Sequence, residues 1–214
     1  MKTVAIVMML VSAPLGAGVI DSSNVPAGVS FVDLGFATIT SAPRTIGYST
    51  VNGVTAFGVN GGRVAQEIDL GTPPDGPESI TVAYPSPRTI TDLRIAFLFQ
   101  PGQWTDTVFE AARVTADGVD FILTVTGTTT AIWSGPGTVM NLSPALDVNA
   151  GVFRIINPFP GFVNTLRFTA VNQGNAVNET NSDFGILRLV DIPKPGSLLL
   201  AGGALLWMVV RRRW

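Results

Sequence analysis

Between residues 19 and 190, short alternating apolar runs are separated by turn residues, and no long helical period joins them. Asn52-Gly53 sits between Ile46–Val51 and Val54–Val59, and Asp117-Gly118 between Thr107–Ala116 and Val119–Thr126. Both dipeptides supply the positive φ angles that a two-residue hairpin demands. Asn60-Gly61-Gly62 turns the chain into Arg63–Leu70, and the three prolines of Thr72–Pro77, unable to donate to a ladder, mark a loop. Further strands are predicted at Val29–Thr40, Glu78–Tyr84, Asp92–Phe99, Thr130–Trp133, Val139–Leu142, Val152–Ile156, Asn164–Val171 and Phe184–Val190. Roughly a dozen short strands with this spacing predict an all-β fold, a β-sandwich of jelly-roll or lectin-like type.

Two residue types that carry much of enzyme chemistry are missing. The chain has no cysteine and no histidine, which removes thiolate nucleophiles, imidazole bases, Ser-His-Asp triads and nitrogen or sulfur metal sites. Carboxylate pairs, arginine clamps and oxygen-ligated cations remain. Leaving out Asp191, Lys2, Lys194 and the three terminal arginines, the chain carries 14 acidic and 8 basic residues, a net of −6. That balance argues against nucleic acid as a partner, and the expected protein is not an enzyme.

Both ends read as addresses. Lys2 followed by apolar Val4–Leu15 and the small residues Gly16-Ala17-Gly18 predicts a signal peptide over residues 1–18, cut before Val19. At the other end, Pro193 and Pro195 precede an uncharged 13-residue run, Leu198–Val210, closed by Arg211, Arg212 and Arg213. A helix of that length covers roughly 20 Å against a hydrocarbon core of about 30 Å, and snorkelling arginines lengthen its reach. The arginine cluster places the C-terminus on the cytoplasmic side. Residues 19–190 then form the ectodomain, followed by a single C-terminal hydrophobic helix within residues 191–214.

The order of proline motif, short apolar helix, arginine cluster and chain end resembles the PEP-CTERM sorting signal of Gram-negative bacteria. Ile192, Pro193, Lys194, Pro195 and Gly196 stand where that family has Val-Pro-Glu-Pro and a small residue, with Lys194 reversing the charge of the glutamate. The resemblance implies recognition by an exosortase, inner-membrane anchoring through the helix, and passage to the cell surface or extracellular matrix. The layout of Glu78–Val82, the Asp117-Gly118 hairpin and Asn181–Ile186 is also similar to the lectin-type or galactose-binding-type β-sandwiches that precede such tails. The implied role is structural or adhesive, associated with exopolysaccharide in a biofilm matrix.

Three ligand chemistries fit the ectodomain. The oxygen-rich stretch Asn172–Asp183 offers structural calcium a site through Asp183, Asn181 and Glu179, with Asp33 or Asp117/Asp120 as conceivable partners; no other cofactor is expected. Trp104, flanked by Gln103 and Asp106, offers an indole platform for a sugar ring, the alternative reading being a carbohydrate-binding module; Trp133 reads as core. A carboxylate-dependent glycoside hydrolase is the remaining alternative, with Glu67 and Asp69 or Glu110 as acids; it requires two carboxyl groups across an open cleft.

Overall fold

The computed structural model describes residues 16–71, 75–103, 106–143, 151–174 and 181–194. These residues form thirteen strands joined in antiparallel pairs. The hairpin β4 (Ile46–Val51) to β5 (Val54–Val59) falls where Asn52-Gly53 predicts it, with φ of 49° and 81° at the two turn residues. Asp117 and Gly118, at 46° and 85°, likewise join β7 (Ala111–Ala116) to β8 (Val119–Gly127).

The architecture turns on β6 (Ser79–Ala96), an 18-residue strand. The sequence predicts two strands here, broken by Pro85 and Pro87; the chain instead runs straight through them. Its first half pairs with β3 (Thr38–Ala42) on one side and β12 (Val163–Ala170) on the other. Its second half pairs with β13 (Gly185–Pro193) and β11 (Phe153–Ile156). The prolines sit where β6 leaves one pair of neighbours for the next, and the β12 register shifts beside them, so their missing amide donors are tolerated there.

Two strips therefore share β6. One runs from β2 (Phe31–Asp33) through β3, β6, β12, β7 and β8 to β9 (Thr130–Trp133). The other runs from β4 through β5, β13, β6 and β11 to β10 (Thr138–Asn141), with β1 (Gly18–Asp21) also paired to β13. Ile39, Val82, Val114, Leu123 and Phe168 of the first strip and Ile20, Phe57, Leu93, Ile155 and Leu189 of the second belong to one buried apolar cluster.

Three further predictions are corrected. Val29–Thr40 is a hairpin, β2 to β3, because Asp33 accepts the Gly35 amide at 2.7 Å and Gly35 takes a φ of 78°. Arg63–Leu70 is a looped connection whose only ladder contact is the bridge Ile68–Phe184. The last strand continues to Pro193, pairing Ile192 with Thr89 and Pro193 with Arg88; at a strand's end a proline's lack of an amide proton costs little.

Candidate metal centre

Three long connections, β5–β6, β6–β7 and β12–β13, bring four carboxylates together. The Ile68–Phe184 bridge, with amide-to-carbonyl distances of 2.7 and 3.2 Å, lays Glu67 beside Asp183. Gly58 makes that approach possible: a Cβ there would stand 2.6 Å from the Gln66 carbonyl oxygen and 2.7 Å from the Glu67 Cα. Glu110 ties in the β6–β7 connection. Its Oε2 accepts the Phe99 amide at 2.5 Å and its Oε1 the Asp183 amide at 3.2 Å, so one carboxylate spans two distant segments. Beside it the Ala111 amide donates to Ser182 Oγ at 3.0 Å.

Asp106, Glu110 and Asp183 each bring a carboxylate oxygen within 4.8 Å of the others. Glu67 faces Asp183 from the remaining side and accepts the Ser49 hydroxyl at 2.8 Å. All four are buried, the most accessible, Asp106, at 8 %. Among the described residues none of the four forms an ion pair with an arginine or lysine; the arginine pairs go to Asp21, Asp75, Asp92, Asp120 and Asp191.

Burial without a counter-charge raises every one of these acids. Desolvation and the charge of Glu67 push Asp106 up to about 7. Glu110 is held well above the carboxylate range by desolvation and then by Asp106, against two backbone amides that favour its ionised form. Asp183 is raised by desolvation, Glu110 and Glu67, and Glu67 by desolvation, against its bonds to Asp183 and Ser49. Such a set has two stable states: it keeps protons, or it holds a hard cation through its oxygens.

A separate acid pair lies next door. Asp69 accepts the amides of Arg63, Val64 and Gly71 at 2.5 to 2.9 Å, while Glu78 accepts the Asp69 amide at 3.2 Å. Desolvation and the Asp69 charge lift Glu78 to about 8. A Cβ at Gly62 would stand 2.5 Å from Asp69 Oδ2 and 2.6 Å from Glu78 Oε1, so only glycine lets the loop cover this pair.

Of the residues expected to bind calcium, Asp183 is in the centre. Asn181 is buried nearby, where its side-chain carbonyl accepts the amides of Gln173 and Ser182 at 3.2 and 2.8 Å. Glu179 lies outside the described residues. Asp33 and Asp117 are occupied elsewhere, Asp33 with the Gly35 amide and Asp117 with those of Asn164 and Thr165. Glu67 and Asp69, weighed together as one acid pair, serve different clusters. Of the sugar-site residues, Trp104 lies outside the described residues, Asp106 turns inward to the carboxylates, and the Gln103 carbonyl accepts the Asp106 amide at 3.0 Å. Trp133 is core: it stacks on Phe121 at 5.7 Å and donates Nε1–H to the Pro158 carbonyl at 2.9 Å.

At the C-terminal motif, Ile192 is exposed, Pro193 closes β13, and the Lys194 amide donates to the Pro87 carbonyl at 3.3 Å. The Lys194 ammonium stands 5.0 Å from the Phe162 ring centre. Pro195, Gly196, the apolar run Leu198–Val210 with its expected helix, Arg211, Arg212 and Arg213 lie outside the described residues, as does the expected signal peptide through Leu15. Among the described residues no helix is long and apolar enough to cross a membrane. No known family model and no curated protein sequence matches the chain.

Proposed function

We propose that this is an exported β-sandwich protein of jelly-roll or lectin-like type, sorted by an exosortase to the cell surface or exopolysaccharide matrix, with a structural or adhesive role. The buried carboxylate centre is its calcium site and holds together the three connections that build it. The observation that carries the non-catalytic reading is the burial of Glu67, Asp106, Glu110 and Asp183: hydrolysis needs acids open to a substrate, whereas a structural cation needs oxygens closed around it. Export is supported by the two terminal segments of the sequence and by β13, which carries folded structure up to the first proline of the sorting motif.

Intact mass and fractionation of the native protein from its own cells test the reading. A species beginning near Val19, ending near Pro193–Gly196 and recovered outside the inner membrane is expected. A full-length cytoplasmic species would overturn it.

A further inference from the structure

A row of like charges crosses the second strip. Arg188 on β13 is the register partner of Arg94 on β6, and Arg94 in turn of Arg154 on β11. Like charges directly opposed across strands destabilise a sheet, so three guanidinium groups side by side require compensation. Two carboxylates provide part of it. Asp92 receives Nε and Nη2 of Arg94, both at 3.0 Å, and Nη2 of Arg154 at 2.7 Å. Asp21, opposite Arg188 on β1, is 3.9 Å from its Nη1, and the other Asp21 oxygen is taken by the Ser23 amide and hydroxyl. Among the described residues the buried Arg188 Nε has no hydrogen-bond partner. The row thus keeps one more positive than negative charge on a domain that is otherwise acidic, and Arg188 is its loosely held member.

Arg188 and Arg94 open onto a cavity of about 360 Å³ that is also lined by Asp21, Ser22, Ser23 and Thr55. Its size is that of a small-ligand site. Arginine forks match a carboxylate, while the hydroxyls and the Asp21 carboxylate suit sugar hydroxyl groups. Asp21 at the same rim disfavours densely charged sulfated or phosphorylated ligands.

We propose that this groove binds a uronic-acid unit of an acidic polysaccharide, its carboxylate on Arg188 backed by Arg94 and its hydroxyls on Asp21, Ser22, Ser23 and Thr55. The proposal rests on the matrix reading above and names its ligand class. Asp92 keeps Arg94 in place behind Arg188 when the groove is free, so the backing charge is fixed while Arg188, 3.9 Å from Asp21, is the member that turns to the ligand.

The test is calorimetric titration of the full chain, in detergent, with a galacturonate oligosaccharide, a neutral galactose oligosaccharide of equal length and dextran sulfate. Binding of the galacturonate oligomer alone is expected, weakened by salt and at least tenfold by Arg188→Gln, with Arg188→Lys falling between and the melting temperatures of both variants unchanged. Equal affinity for the neutral oligomer, tighter binding of dextran sulfate, or full affinity in Arg188→Gln at an unchanged melting temperature would each overturn the proposal. Fractionation, which does not involve Arg188, separates failure of this site from failure of the matrix reading: a surface protein that binds no uronate refutes only the former.

Discussion

Raising the pH in the presence of a chelator should destabilise this domain, the reverse of what paired surface carboxylates do. Glu78 and Asp106 have folded values near 8 and 7, above their ordinary 4.5 and 3.8. The native state therefore binds more protons than the unfolded chain. Their contribution is complete below the unfolded values and is lost as the pH climbs through the folded ones. Each extra bound proton gives a slope of about 1.4 kcal/mol per pH unit, so two groups between pH 5 and 7 account for at most about 5 kcal/mol. Solvent screening leaves roughly half, about 2–3 kcal/mol. For a domain of this size that lowers the melting temperature by roughly 5–10 °C. Calcium at about 100 times its dissociation constant would return about 2.7 kcal/mol at pH 7, and less at pH 5, where protons compete for the same oxygens. Thermal unfolding followed by circular dichroism, in chelator and in millimolar calcium at pH 5, 6, 7 and 8, measures both effects. A melting temperature that rises with pH in chelator would refute the proton argument, and one indifferent to calcium at pH 7 would refute the cation.

Other perturbations separate the parts. Glu78→Gln, which fixes the neutral form beside Asp69, should flatten the pH dependence by about one proton in the same melts and leave the calcium response intact. Glu110→Gln should lose that calcium response at pH 7 and also melt below the wild type at pH 5, because its amide nitrogen cannot accept one of the two backbone amides, Phe99 or Asp183, that the carboxylate holds. Gly58→Ala should cost about 1–3 kcal/mol in urea titrations, because the new methyl meets the backbone of Gln66 and Glu67. Lys194→Glu, which supplies the central acid of the sorting motif we propose here, should increase the processed fraction seen by intact mass; an unchanged fraction would mean that this charge is not read.

The sequence was most legible where the physics is local. Asn52-Gly53 and Asp117-Gly118 dictate their turns within two residues, and the flanking strands follow from alternation. It was least legible where strands choose neighbours. Pro85 and Pro87 argue for a break on any local reading, and only the exchange of β3 and β12 for β13 and β11 at that point lets β6 run through them. The same reason hid most of the carboxylate cluster. Asp183 stands out because asparagines surround it in sequence, but Asn181 is bonded back to Asn172 and Gln173, and the acidic partners of Asp183 come from 73 to 116 positions earlier in the chain.

That long separation bears on how the centre works. Glu67, Asp106, Glu110 and Asp183 come from connections that the strands alone leave long, and the hydrogen bonds that gather them run mainly through Glu110 and the Ile68–Phe184 bridge. With protons on the acids, these few bonds close the cluster; with the acids ionised, mutual repulsion opposes them. A cation reverses that sign, turning the repulsion into an attraction shared by all three connections. Calcium modules that work outside the cell hold the ion at about 10⁻⁴–10⁻³ M. A site in that range would be largely vacant where calcium is scarce and filled where it is abundant, so under the export we propose the domain would reach full stability only outside the cytoplasm.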